Sequence, residues 1–542
     1  MTLRTGSAII LLTLAAIGAQ AQGNAASEAL VRKFYPTANE QLKNGRYPAA
    51  AQNFAQMVES DPKNANLNYK AGMSYLGLPG QKDKSVPYLE FAVSDINEKY
   101  KDAPGERKAP VDAIFQLARA YHITFQFDKA IEQYRKYVNV AKVTDQAKLD
   151  ELNRQLEMCE NGKLIAETPV SATIRNLGIK LNTKFDEYAP VLDVTESVMI
   201  FTSRRPTGTG GFQDPDGEYY EDIFISVKED TLWGLPKSIG GKVNTDGHEA
   251  SIGLSPDGQE LFIYRDDYGD GNIYASQFIN GEWQVPVRLG EAVNSASRET
   301  HASVSADGQT LYFTSDRPGG QGGMDIWRAR RLPTGDWARA ENLGPRVNTK
   351  FDEEAPFIHP DGKTLFFSSK GHTSMGGYDL MFTIADDGGA WSSPMNMGVP
   401  LNSADDDYFF VLSPDGKRAY YSSSMKGGQG GKDLYMIYLE REETPLTVYK
   451  GVFSPDASGN LPQNASVTVT DNNTGDLYGT YRPRADNGRF ILVLNPGKDY
   501  MITYEADGYS ARSEKLFVPE NTAYFEINRA IQMNPISLND GR

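Results

Sequence analysis

The chain has 542 residues, more than one hydrophobic core can serve, so several domains are expected. Its formal charge of −16 argues against general nucleic-acid binding and against adhesion to anionic lipid. Cys159 is the single cysteine, which excludes an intrachain disulfide and any multi-cysteine metal site.

Residues 1–21 read as a cleaved secretory signal: Arg4, an apolar run from Ala8 to Ile17, and the small-residue site Ala19-Gln20-Ala21. The run is short for a membrane anchor, no lipobox cysteine follows it, and no later segment is apolar enough to cross a bilayer. The mature protein is expected to be exported, and either soluble or held peripherally through a partner.

Residues 27–166 are predicted to be helical. In AIFQLARAYHITFQFDKAIEQYRKYV, Leu117, Ala118, Tyr121, Ala130, Tyr134 and Tyr137 fall at tetratricopeptide-like spacings. Small residues let paired helices approach, and aromatics fill the space beside them. An earlier unit carries Ala50, Phe54 and Pro62; a middle unit begins at Ala71, Gly72 and Tyr75 and is interrupted by LPGQKDK. Such a superhelix holds a peptide or partner helix in its concave face, or serves as a spacer packed on the next domain. Cys159, in LNRQLEMCENG, is expected as a small buried apolar residue rather than a reactive thiol.

From 171 to 440 one motif recurs five times: LNTKFDE, VNTDGHE, VNSASRE, VNTKFDE and LNSADDD, with asparagines at Asn182, Asn244, Asn294, Asn348 and Asn402. A strand-rich repeat with a period near fifty residues marks a propeller. Four copies contain Trp-x6-Gly, from Trp233, Trp283, Trp337 and Trp391, each glycine four residues before the motif asparagine. Asp-Gly turns at Asp257, Asp307, Asp361 and Asp415 join the first two strands of the last four copies. A Gly-rich loop leads to a third strand opening at Asp222, Asn272, Asp325, Asp379 or Asp433, and the Trp segment is predicted as the fourth. The fifth copy lacks a Trp strand, and Ser171–Gly178 before the first copy is expected to supply it, closing a five-bladed ring. Residues 446–538 alternate apolar and polar between Gly, Asn and Pro turns, the pattern of a small two-sheet β-sandwich.

The candidate chemistry sits five residues after each motif asparagine, at Glu187, Glu249, Glu299, Glu353 and Asp407, which are expected to ring one mouth of the central channel. Arg205, Arg265, Arg317, Lys370 and Lys426 follow the second strands on the same face. Acid–base pairs tying adjacent blades together is the first reading; a calcium site made of clustered oxygens is the alternative. The loops TGTGG, YGDGN, PGGQGG, SMGG and KGGQGG lack the Lys-Ser/Thr ending and following helix of a phosphate loop, so strand connections needing glycine explain them. His248 and His301 flank the acids and make a metal site conceivable, with satisfied surface or core histidines as the default; His122, His359 and His372 are scattered. There is no Gly-x-Ser-x-Gly and no His-Glu-x-x-His, so no catalytic residue, no cofactor and no metal is expected.

The segments SPDGQELFIY, SADGQTLYFTSDRPGGQGGMDIW and HPDGKTLFFSSKGHTSMGGYDLM resemble TolB-type, WD-like propeller repeats. GVFSPDASGNLPQNASVTVTDNNTG with DNGRFILVLNPGKDYMITYEADGY resembles the carboxypeptidase regulatory-like, transthyretin/Ig-like sandwich. A signal, tetratricopeptide-like helices, this propeller and this sandwich, in that order, resemble the PorE-type periplasmic proteins of Bacteroidota over nearly all of the mature chain. The resemblance implies a non-enzymatic periplasmic scaffold associated with the outer membrane and type IX secretion, with envelope proteins as partners. A soluble sensor or carrier, whose propeller binds a peptide, glycan or cation, is the alternative. Relatives commonly continue into an OmpA-like domain, whereas this chain ends at Gly541-Arg542, so direct peptidoglycan binding is not expected.

Overall fold

The computed structural model describes residues 27–206, 208–266, 269–456, 459–520 and 522–536, so the expected signal at 1–21 lies outside the described residues. The chain divides into two compact units after Leu164, with Gln213–Glu218 counted with the first.

The first unit is helical: α1 (27–43), α2 (Tyr47–Ser60), α3 (Ala65–Leu76), α4 (Ser85–Ala92), α5 (Asp112–Ile123), α6 (Phe127–Val140) and α7 (Gln146–Glu167). Consecutive helices from α2 to α6 pack on one another. Proline opens α2, and the Asn64 side chain caps α3 by accepting from Leu67 N at 3.1 Å. Small residues set the spacing. Ala118 and Ala130 are fully buried, and a Cβ on Gly72 would stand 2.5 Å from Leu89 Cγ. Cys159 is buried, and burial pushes its thiol up to about 12, the state of an inert core residue. The segment 93–111 joins α4 to α5 and holds the short parallel strands Ile96–Asn97 and Ala109–Pro110. It is pinned by Asp102, which accepts from Tyr35 at 2.7 Å and Asn39 at 3.0 Å and pairs with Lys70 at 3.0 Å. Among the described residues, no helix is long and apolar enough to cross a membrane.

The second unit contains a β-propeller of five antiparallel sheets. Their first strands are Glu187–Leu192, Glu249–Leu254, Glu299–Val304, Glu353–Ile358 and Tyr408–Leu412. Each packs beside the next, and the fifth returns to the first, so the ring is closed. The second strands are Val198–Ser203, Glu260–Arg265, Thr310–Ser315, Thr364–Ser369 and Arg418–Ser423. The third are Asp222–Glu229, Asn272–Ile279, Asp325–Arg330, Asp379–Ile384 and Asp433–Leu439. The fifth sheet takes its outer strand from Ala172–Asn176, antiparallel to Asp433–Leu439, with Ala172 opposite Leu439 and Asn176 opposite Tyr435.

The Trp segments supply the fourth strands, at Lys237–Ser238, Val287–Arg288, Glu341–Asn342 and Met395–Asn396, with the tryptophan itself before each. Trp233, Trp283, Trp337 and Trp391 pair at or just beyond the end of the third strand, and a separate two-residue outer strand such as Val287–Arg288 or Met395–Asn396 follows. An indole facing solvent from an outer edge would waste its apolar area, so it turns inward against the preceding sheet. Trp233 meets Tyr420 edge-on at 6.1 Å, and Trp391 meets Tyr312 the same way at 6.1 Å.

The Asp-Gly turns lie at the opposite end of the ring from the motif loops. Gly258 takes φ 71°, whereas the equivalent turn of the first copy puts Glu196 at φ 52°. A two-sheet sandwich follows. Thr447–Phe453 lies between Arg489–Leu494 and the parallel Phe525–Ile531. The second sheet runs Leu477–Tyr481, Ser466–Asp471, Lys498–Glu505, Arg512–Val518. Tyr449, Phe453, Phe490, Tyr500 and Tyr504 fill the space between the sheets. The sandwich packs on the turn end of the ring, where Val194 is buried with Leu446, Val448 and Val493. The motif loops lie at the other end.

Candidate functional site

Each part of the repeated motif has a definite task. The asparagine side chain acts as a peptide group. Asn244 Oδ1 accepts from Ile223 N at 3.0 Å while its Nδ2 donates to Ile223 O at 3.0 Å, clasping the third strand of the preceding sheet. Asn294 holds Ile273 at 2.8 and 2.8 Å, Asn348 holds Ile326 at 2.8 and 2.9 Å, and Asn402 holds Leu380 at 2.7 and 2.9 Å. Asn182 closes the ring on Leu434 at 2.8 and 3.0 Å. Only a primary amide offers a donor and an acceptor at this reach.

The five acids latch their own motif loops. Glu187 accepts Thr183 N and Oγ1, both at 2.7 Å, and Ser203 Oγ at 2.8 Å. Glu299 accepts Ser295 N at 3.0 Å, Ser295 Oγ at 2.8 Å and Ser315 Oγ at 2.7 Å. Glu249 takes Thr245 N at 3.0 Å and Thr245 Oγ1; Glu353 takes Thr349 N and Oγ1, both at 2.7 Å; Asp407 takes Ser403 N at 2.7 Å and Oγ at 3.0 Å. All five are buried. Burial raises Glu187, takes Glu353 to about 7, and raises Asp407 well above the usual carboxylate range.

The bases divide. Arg205, Arg265 and Arg317 pair with the acid of their own sheet at 3.1, 3.4 and 2.9 Å. The pairs therefore lie within sheets rather than between them, and the asparagines make the links across. Arg205 and Arg265 also donate to the backbone of the motif, at Leu181 O and Val243 O, over 2.8 and 2.5 Å. In the fourth copy His372 Nε2 takes that place on Val347 O at 2.8 Å, while Lys370 pairs with Asp352 at 2.9 Å. Lys426 is exposed on the loop after Ser423.

The glycine loops hold strand-opening aspartates, not phosphate. Asp379 accepts from Met375 N at 2.9 Å and Gly376 N at 3.2 Å, and Asp433 from Gln429 N at 2.6 Å and Gly430 N at 3.0 Å. A Cβ on Gly430 would stand 2.2 Å from Phe185 O, so the loop lies flat on the next motif only because that residue is glycine.

The copies differ, among other places, one and two positions after the acid: Tyr188-Ala189, Ala250-Ser251, Thr300-His301, Glu354-Ala355 and Tyr408-Phe409. Ala189, Ala355 and Phe409 have φ of 51°, 50° and 61°, and bulges there turn the strands at the mouth. Ala189, Ser251, His301, Ala355 and Phe409 line a passage of about 40 Å³. Beside it runs an aromatic band: Tyr188 stacks on Phe409 at 5.9 Å, Phe409 meets Tyr408 at 5.5 Å, and Tyr408 meets Tyr378 at 4.5 Å. His301 Nδ1 lies 2.6 Å from Glu354 Oε2, and His248 pairs with Glu221, which also accepts from Tyr188 at 3.0 Å. His359 is buried between Ser413 O at 3.2 Å and Asp361 at 3.2 Å, and His122 is buried in α5. Sequence reasoning missed Tyr188, Glu354, Tyr408 and Phe409. The signal was present as the register where the five copies disagree.

No family model matches the chain, and no curated protein matches it. Among solved structures, it is similar to TolB from Acinetobacter baumannii, at 15% identity over 54% of this chain and 71% of that one, with a TM-score of 0.31. It is also similar to a putative TolB from Agrobacterium tumefaciens, at 20% identity over 50% and 99%, TM-score 0.27. An α-L-arabinofuranosidase from Lactobacillus brevis shows 16% identity over 49% and 92%, TM-score 0.33.

Proposed function

We propose that the protein is a non-enzymatic interaction scaffold of the periplasm, built from tetratricopeptide-like helices, a five-bladed propeller and a carboxypeptidase regulatory-like sandwich. In this reading its partners are envelope proteins of the outer membrane or of type IX secretion. One observation carries the proposal. The polar residues that the repeat keeps constant are engaged in building the ring, while the two residues after each latch, which differ between copies, lie at the mouth away from the sandwich. Side chains that differ between sheets at this mouth are how a symmetric frame presents an asymmetric surface to a partner. Crosslinking in intact envelopes followed by capture of the full chain tests it. Outer-membrane or secretion components should be recovered; recovery of none would remove the scaffold reading. A carrier or sensor role is the second reading, favoured by the passage at the mouth. A ligand-dependent rise in melting temperature without any captured protein would select it.

A further inference from the structure

We propose that α1 and α3 form a receptor for a side-chain carboxylate of an acidic partner segment, kept closed by the chain's own Asp102. This goes beyond the propeller surface on which the scaffold reading rests. Four side chains converge on the Asp102 carboxylate. Tyr35 Oη donates to Oδ1 at 2.7 Å and Asn39 Nδ2 to Oδ2 at 3.0 Å, both from α1. Lys70 Nζ on α3 lies 3.0 Å from Oδ1, and Lys43 Nζ on α1 lies 3.5 Å from Oδ2. Tyr35 is 2% and Lys70 7% exposed, so the donors are built into the helices. Lys70 also donates to Asn39 Oδ1 at 2.9 Å, a neutral group, so a carboxylate is what balances its buried charge.

The carboxylate that fills this receptor comes from a connecting loop, not from a helix. Residues 93–111 join α4 to α5, whereas the connections on either side are 77–84 and 124–126. The loop has a firm base: Ile96–Asn97 pairs with Ala109–Pro110, Asn97 Nδ2 donates to Glu106 Oε2 at 3.0 Å, and Asn66 N donates to Arg107 O at 3.0 Å. Between these contacts runs a strap, 98–105, in which no residue is buried. It rests on the helices through Tyr100 Oη, which donates to Asn66 Oδ1 at 2.8 Å, and through Asp102, whose side chain is 29% exposed. A segment with no buried residue and a fixed base opens locally while the helices stay folded. Opening frees Tyr35, Asn39, Lys43 and Lys70 for another carboxylate. Residues 27–164 hold slightly more Lys and Arg than Asp and Glu, although the whole chain stands at −16. An acidic segment therefore meets less repulsion from these helices than from the rest of the chain. The tethered Asp102 lowers the apparent affinity for that segment in proportion to the fraction of closed strap.

The test titrates the full-length protein with acetyl-Gly-Asp-Gly-amide, the same peptide with asparagine for aspartate, and acetyl-Gly-Gly-Gly with a free carboxyl end. Affinity is measured by calorimetry, and strap opening by tryptic cleavage after Lys99. In wild type the aspartate peptide should accelerate that cleavage saturably, and the asparagine peptide should not. Asp102→Ala should bind the aspartate peptide about tenfold tighter or more, and adding Lys70→Met should abolish the gain. Equal cleavage with the aspartate and asparagine peptides overturns the proposal in the wild-type protein alone, whatever the folding of the variants. Equal affinity of wild type and Asp102→Ala overturns the competition by the strap. A gain that survives Lys70→Met overturns the assigned receptor. Binding of the free carboxyl end but not of the aspartate peptide overturns the side-chain source. Each result is read on the purified protein, so loss of the receptor is distinguishable from loss of the scaffold reading, which an empty envelope capture would show.

Discussion

The amide of Asn182 hydrogen-bonds both the N–H and the C=O of Leu434, at 2.8 and 3.0 Å, joining the first motif to the last sheet. Four other asparagines make the same clasp between sequential sheets, but this one bridges the two ends of the ring. Asn182→Ala leaves the buried Leu434 N–H without a partner, while Leu434 O still accepts from Leu177 N at 3.0 Å, a cost of about 1–3 kcal/mol. Thermal unfolding should register this loss. A melting temperature unchanged by Asn182→Ala would contradict the clasp.

The closing seam has a second device. Where Gly258 stands in the second copy, Glu196 stands in the first, at φ 52°. Its carboxylate accepts from Arg418 Nη2 at 2.8 Å and from Tyr420 Oη at 2.8 Å, both in the fifth sheet. Glu196→Gly relieves a left-handed conformation but removes the bonds from Arg418 and Tyr420, leaving the guanidinium with Asp415 at 2.8 Å. Charge-assisted hydrogen bonds contribute about 1.5–3 kcal/mol, more than the backbone relief of about 1 kcal/mol. Glu196→Gly should therefore lower stability; a rise in the melting temperature would show that the strain dominates.

Glu353 couples the ring to pH. Burial raises its folded pKa from 4.5 to about 7. Below the unfolded value both states hold the proton and the shift contributes nothing to the slope. Between about 4.5 and 7 the folded state holds more protons, so stability falls as pH rises through this window. The full effect is at most about 3 kcal/mol. Glu353→Gln should flatten the fall in melting temperature between pH 5 and pH 8 relative to wild type, and parallel curves would refute the assignment.

Gly430 lies against the first motif, where a Cβ would stand 2.2 Å from Phe185 O. The obstacle is backbone, which gives way less readily than a side chain. Gly430→Ala should cost about 1–3 kcal/mol in denaturant unfolding. Gly427, with φ 89° and open space at its Cβ, tests conformation alone, so Gly427→Ala should cost only about 1 kcal/mol. The reverse order would remove the close-approach explanation.

Much of the frame could be read from repetition. Aligning the asparagines fixed the copies, and the orphan segment before Asn182 pointed to the outer strand that pairs with Asp433–Leu439. The Trp segments also pointed to the outer strands, although the sequence does not say that the indoles pack inward against Tyr420 or Tyr312. The acids were found, but their orientation was not, since the sequence does not say that Thr183 or Ser295 would fold back to hold them. Lys370 and His372 show why base pairing could not be copied from sheet to sheet. In that copy the lysine pairs with Asp352 and the next histidine takes over Val347 O. The mouth was illegible for the opposite reason: Glu354 and Phe409 break the repeat, and a search for what recurs passes over them.

The central claim is that the constant residues build the ring and the varying ones meet a partner. A photo-crosslinking amino acid placed at Ala250, one of the varying positions, tests it most directly, with Gln277, exposed on the third strand of the same sheet, as the control. In intact cells the account predicts a discrete protein adduct from position 250 and none from position 277. Adducts of the same proteins from both positions, or from 277 alone, would contradict it.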